Sequence, residues 1–202
     1  MKPAIPAWAA PALVALFVLA VVTASASKSA TFDESVHIFS GWRVLTQGDY
    51  ATNHEHPPLM KVLAAAPLAL MSLRPPGSEM RKEIDEWSVS HDFVYHANDG
   101  DRILAAARFP IALTAALLAW CLYRWAAAAL GATVALVALA LLVTEPNLLA
   151  HAGLVTTDMG MTATTFLTVA AFTRWLRTRS SAWMAAAGVS LGRAFLAKFT
   201  AV

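Results

Sequence analysis

The sequence predicts an all-α protein: a polytopic bundle of transmembrane helices, with amphipathic surface helices in one long outer loop. Three observations predict it. Apolar residues fill 58% of the 202 positions and charged residues only 14%, with a mean hydropathy of +0.56, whereas a soluble domain carries about 25% charged residues. Eleven of the thirteen Asp and Glu, and five of the six His, lie between Lys28 and Arg102. The rest of the chain is long runs of Ala, Leu and Val.

The first predicted span is about 8–25. Lys2 precedes it, and Pro3 to Ser27 contains no charged residue, which is enough to cross a bilayer at roughly 20 residues per helix. A cleaved signal peptide is the rival reading, with a basic start, an apolar centre and small residues at Ala24-Ser25-Ala26. Further spans downstream favour a helix that stays. The polar outer loop, 28–101, follows. Within it Val36, Ile38, Phe39, Trp42 and Leu45 form a near-helical stripe over Asp33 to Leu45, which Gly48-Asp49 ends. A second apolar helix is expected from Leu59 to Leu73, behind Pro57-Pro58, because proline suits a first helical turn. Both are expected along the membrane surface, and Arg74 to Asp101 reads as a loop opened by Pro75-Pro76-Gly77.

Four more spans are predicted, at about 103–124, 128–145, 156–175 and 182–202. Leu130-Gly131 is the expected turn into the third, and Glu145-Pro146-Asn147 ends it. The last reaches Val202 with no polar flank, so 1–202 reads as the N-terminal part of a longer transmembrane domain. Arg174, Arg177 and Arg179 form a basic cluster in a short loop, which places that loop in the cytoplasm. Counting back, the N-terminus is cytoplasmic and the long loop is outside, in a plasma membrane of the bacterial inner type.

A net charge of +2 says little about partners, but the chain has no basic block of the kind that tracks a nucleic-acid backbone, and no nucleic-acid partner is expected. Cys121, the single cysteine, allows neither an internal disulfide nor a cysteine metal site, and reads as a small buried hydrophobe.

Three sets of residues can carry chemistry. Asp33-Glu34, at the mouth of the first span, can hold a base against a substrate or bind a cation; the plainer reading is a helix N-terminus. In His54-Glu55-His56 the side chains can ligate a divalent metal ion, although neighbours in a turn seldom converge and the set is incomplete. The helix start after Pro57 offers free N–H groups, with Lys61 one turn in, and suits a phosphate. Arg108, His151, Asp158 and Lys198 stand at the outer ends of spans, where ionisable groups suggest function or snorkel. In the predicted topology these sets share the outer face, which implies a site handling an anionic group at the membrane boundary.

Several stretches together resemble a known family. They are Thr31-Phe32-Asp33-Glu34-Ser35-Val36-His37, Gly48-Asp49-Tyr50 and Glu55-His56-Pro57-Pro58-Leu59-Met60-Lys61, then Ala107-Arg108-Phe109-Pro110, Pro146 to His151, Thr157-Asp158-Met159 and Gly192 to Ala201 with Lys198. Their order and spacing resemble the protein O-mannosyltransferase-like enzymes, GT-C glycosyltransferases of family 39, which include the lipid A aminoarabinose transferases. The resemblance implies a GT-C membrane bundle. It implies transfer of a sugar, with inversion, from a polyprenyl-phosphate-linked donor to a lipid, glycan or protein acceptor on the outer face. Asp33, beside Glu34, matches the family's loop base, and Arg108 matches an arginine facing the lipid phosphate. Lys61 and the Pro57-Pro58 helix start are further phosphate candidates. Glu55 and Asp158 match acids near the donor site, which position the sugar or a divalent ion. His56 departs from the aminoarabinose branch, which has lysine there, and leaves the sugar open. Two other classes are weighed against this: a transporter module lined by Asp33, Arg108 and Asp158, and a non-catalytic membrane subunit whose outer loop binds a metal or a partner.

Overall fold

A computed structural model describes residues 6–77 and 85–201, and every element among them is helical. Helix α1 spans Ala9–Ala26, α2 Glu34–Gln47 and α3 Pro58–Ala65, which runs into a 3-10 turn, Ala66–Leu70. Helix α4 spans Glu86–Tyr95, α5 Gly100–Leu130, α6 Ala132–Val143 and α7 Pro146–Ala152. Helices α8, Asp158–Thr178, and α9, Ser181–Ala197, end the chain with a short 3-10 turn, Phe199–Ala201.

Helices α1 and α5 are each long and apolar enough to cross a membrane. Helices α6 and α7 together would make a third span, bent by 65° at the break between them. Glu145 causes that break: its carboxylate accepts from the Leu148 N–H at 2.7 Å and caps α7, and Pro146 takes the first helical position. Leu16, Leu19, Leu113, Leu117, Val137 and Leu141 are all exposed on these helices, as a lipid-facing surface requires. The tight Arg179-Ser180 connection, with Arg179 at φ +51°, folds α8 and α9 into a hairpin.

Helix α5 is the central post and packs against α1, α3, α6, α7 and α8. Its inward stripe is small near the middle, with Ala107, Ala112, Ala115 and Ala119 buried between Ile103, Leu104, Ile111 and Leu118, so neighbouring helices approach closely. Pro67 converts the end of α3 into the 3-10 turn, because proline cannot continue an α-helical ladder.

Helix α2 is the unusual one. Every residue from Glu34 to Trp42 is buried, and the helix is wrapped by α3, its 3-10 turn and α4. Gly41 permits this: a Cβ there would lie 2.0 Å from the Lys61 carbonyl oxygen. Phe39, Trp42 and Phe93 pack ring against ring, with Phe93 5.1 Å from Phe39 and 4.8 Å from Trp42. Gly48 ends α2 in the left-handed conformation, φ +65°, its N–H returning to the Arg43 and Val44 carbonyls.

The expected loop over Arg74 to Asp101 is corrected by α4. Asp85 caps that helix by accepting from the Ser88 N–H at 2.8 Å, and Val89, Ser90, Phe93 and Val94 are buried at its inner face. Four buried positions within a run this polar are too short a period to separate from loop composition; Phe93 docking on α2 makes the helix.

Candidate active site

The site grows from the start of α2. Asp33 is exposed at the residue before the helix. Glu34 turns inward and is fully buried. It meets Arg108 of α5 in a forked ion pair, Nε to Oε1 at 2.9 Å and Nη2 to Oε2 at 2.7 Å. The remaining guanidinium donors reach the carbonyls of Ser25 (2.8 Å), Lys28 (2.8 Å) and Ser29 (3.0 Å). All five N–H groups of Arg108 are therefore used within the chain. Glu34 also accepts from the backbone N–H groups of Thr31 and Val155, both at 2.9 Å. Burial pushes the Glu34 pKa up, but Arg108 and these N–H donors outweigh it, and the carboxyl lies below its ordinary value.

This geometry gives Glu34 and Arg108 a different job from the one the sequence suggests. They form a brace tying the end of α1, the start of α2, α5 and the segment before α8. Arg108 keeps no donor for a lipid phosphate, and Glu34 keeps no open face for a substrate.

One turn after Asp33, His37 is buried. Burial above all, and then the neighbouring His56, lower its pKa to about 4; Asp33 acts in the opposite direction and Lys61 in the same. The His37 and His56 rings meet edge to face at 5.1 Å. Asp33, His56 and Lys61, distributed over a segment of 29 positions, are thus gathered about His37, a residue the sequence alone does not single out.

The loop before α3 is pinned on both sides. The Ser40 hydroxyl donates to the Thr52 carbonyl at 2.8 Å, and Arg43 donates to the Thr52 hydroxyl at 2.8 Å and pairs with Asp49. Asn53 sits at φ +52°, a left-handed conformation uncommon outside glycine. Its N–H donates to Glu86 of α4 at 2.7 Å, and its carbonyl accepts from the Lys61 ammonium at 2.7 Å. Lys61 is 4% exposed. Burial lowers its pKa to about 8, against the opposing pull of Glu86.

Lys61 lines a cavity of about 410 Å³ together with His54, His56, Tyr50 and the Pro57-Pro58 start of α3. The opposite wall is apolar: Phe195 and Leu196 of α9 and Phe199 beyond it. Glu55 is exposed and is not on that wall. Among the described residues no three His, Cys, Asp or Glu side chains are grouped to hold a metal ion. The His54-Glu55-His56 metal candidate is corrected accordingly: successive side chains in this turn diverge, and only the two histidines face the cavity.

Asp158 forms a separate cluster at the start of α8. It accepts from Lys198 at 2.7 Å, with the His151 ring nitrogen 3.7 Å away. The Lys198 pair closes the open end of the α8–α9 hairpin and holds Phe195, Leu196 and Phe199 against the cavity.

Residues 100–202, from the first turn of α5 onward, match the family of dolichyl-phosphate-mannose-protein mannosyltransferases. The chain belongs to this family. No curated protein and no solved structure matches it. A dolichyl-phosphate-mannose-type mannosyltransferase is a membrane glycosyltransferase, and the apolar α1 and α5 agree with a membrane-integral chain. The matched segment holds Arg108, Asp158 and Lys198. Asp33, His37, His56 and Lys61 precede it and join it only in three dimensions.

Proposed function

We propose that this protein transfers a sugar from a polyprenyl-phosphate carrier to an acceptor on the outer face of the plasma membrane, with the N-terminus cytoplasmic and the 28–101 segment outside. The observation that carries the reading is the cavity at Lys61. A buried ammonium with a single carbonyl partner faces open space, flanked by two histidines and a helix N-terminus, opposite a wall of Phe195, Leu196 and Phe199. A phosphate joined to an isoprenoid chain has the two chemistries this cavity offers: an anion for the cation and the free N–H groups, and hydrocarbon for the apolar wall. Glu86 of α4 pulls on Lys61 but is not among the cavity's described lining residues, so no described carboxylate there repels the phosphate.

Asp33 is the proposed base. An acceptor hydroxyl is a weak nucleophile near neutral pH, and a carboxylate within reach of it lowers the barrier. The hydroxyl oxygen attacks the anomeric carbon as its proton passes to Asp33. The bond from that carbon to the phosphate oxygen breaks, and polyprenyl phosphate leaves with the electron pair. Lys61 and His56 stabilise the charge that grows on the leaving oxygen. Asp158, paired with Lys198, holds the apolar wall in register.

Transfer from radiolabelled polyprenyl-phosphate sugars, measured in membranes with Asp33→Asn beside wild type, tests this. Loss of transfer by about 100-fold or more at equal expression is the expected result. Equal transfer by both proteins would remove Asp33 from the reaction.

A further inference from the structure

A second, larger opening lies beside the segment that carries Asp33. It is a groove of about 850 Å³ between the Ser29–Ser35 segment and α4, within the roughly 300–1,000 Å³ typical of small-molecule sites. Phe32 is 78% exposed and stacks on Trp87 of α4, with centroids 5.7 Å apart and planes 29° from parallel. Further along, the His91 ring lies 4.8 Å from Tyr95 and 5.4 Å from His96. The hydroxyl-bearing residues Ser35 and Ser88 also line the groove, the Ser88 hydroxyl donating to the Asp85 carboxylate at 3.2 Å. The Tyr95 oxygen accepts from the Ala30 N–H at 2.7 Å, which leaves its own O–H free to donate.

Among the described residues, the groove's lining contains no Lys, Arg, Asp or Glu. That absence discriminates among occupants. A phosphorylated or carboxylated headgroup would find no fixed cation among these described residues. An extended peptide needs partners for its backbone N–H and C=O groups, and no strand edge exists among the described residues. A lipid tail would bury hydroxyl groups without compensation. A neutral sugar fits: its C–H faces lie on aromatic rings, and its hydroxyls exchange hydrogen bonds with serine, tyrosine and histidine.

Asp33 is in the lining of neither opening, but the chain segment that carries it borders the groove. Its chain neighbours Phe32 and Ser35 line the groove, and its charge bears on His37, whose other neighbours His56 and Lys61 belong to the 410 Å³ cavity. We propose that the groove between Phe32 and α4 binds a neutral saccharide, and that this saccharide is the acceptor. The second clause rests on the transfer reaction proposed above; the binding clause stands without it. In the reaction the acceptor hydroxyl gives its proton to Asp33 and its oxygen to the anomeric carbon, while the carrier's phosphate takes the electron pair of the broken bond.

The test uses full-length protein in nanodiscs without donor, and saturation-transfer NMR with methyl α-mannoside, an α-linked mannotriose and a Ser/Thr-rich nonapeptide. Saturation of the sugar ring protons is expected, with affinity falling about 5- to 10-fold in Phe32→Ala and in His91→Ala, as for loss of one ring contact. Both residues are exposed, so neither change threatens folding; Lys61→Met is expected to leave sugar binding intact. Absent sugar binding, sugar binding indifferent to both substitutions, or peptide binding that depends on Phe32 would each overturn the proposal. The two readings separate cleanly. Phe32-dependent sugar binding without transfer from any polyprenyl donor sinks the reaction and keeps the site; transfer to an acceptor unaffected by Phe32→Ala does the reverse.

Discussion

Replacing Arg108 by methionine asks whether its guanidinium holds the fold or a ligand. Arg108 is 4% exposed and Glu34 0%. The substitution leaves the Glu34 carboxylate buried with the Thr31 and Val155 N–H groups and the Thr31 hydroxyl. It also strips the Ser25, Lys28 and Ser29 carbonyls of their donor. Removing one member of a buried pair costs about 3–5 kcal/mol, chiefly for the charge left behind. At about 2–4 °C per kcal/mol for a chain of this size, the melting temperature should fall by about 6–20 °C. Arg108→Lys keeps the charge but offers three donors for five and should recover only part of the loss. Tryptophan-fluorescence melting in detergent reads the effect, with donor binding measured well below both transitions. The acid side gives a second readout. The folded Glu34 pKa lies below its ordinary value, so the brace contributes fully above the ordinary carboxylate range and is lost as pH falls through the folded pKa. In Arg108→Met burial prevails, and acid loss should begin at higher pH. A melting temperature within about 2 °C of wild type, with donor binding abolished, would refute the brace and return Arg108 to the phosphate.

Other positions give independent checks. Gly41→Ala drives a Cβ to 2.0 Å from the backbone oxygen of Lys61; neither partner can rotate away, so about 3 kcal/mol or more of stability should disappear on chemical denaturation, while Gly188→Ala, with open space around it, should be neutral or stabilising. Because the folded His37 pKa is about 4 against 6.5 in the unfolded chain, stability should fall by up to about 3 kcal/mol as pH drops from 6.5 to 4. His37→Gln should flatten that part of a pH–melting profile. Lys61 follows the same sign at higher pH: its pKa of about 8 against 10.5 means the buried charge destabilises below pH 8, and the penalty is relieved as pH rises. Lys61→Met should therefore raise the melting temperature at pH 7 by about 3–8 °C while weakening the polyprenyl-phosphate donor, measured by competition with unlabelled carrier.

Composition alone determined that this chain is helical and membrane-embedded, because 58% apolar residues in uninterrupted runs satisfy neither a soluble core nor a sheet. Local chemistry also marked several ends, such as Gly48 after α2 and Pro146 at the start of α7. What the sequence could not decide is which of two adjacent carboxylates faces inward. Asp33 and Glu34 differ by one position, about 100° around a helix, and the choice is made by Arg108, 74 residues away. Only the tertiary structure turned that arginine from a ligand candidate into a brace, because saturation of its five donors involves carbonyls of three residues at the end of α1. Only the tertiary structure built α4, whose place depends on Phe93 meeting Phe39 and Trp42, and so built the groove beside Phe32. Side-chain type is local information and survives in a sequence. Which partner satisfies a buried charge is settled by packing between distant segments, and there the sequence pattern carries no period to read.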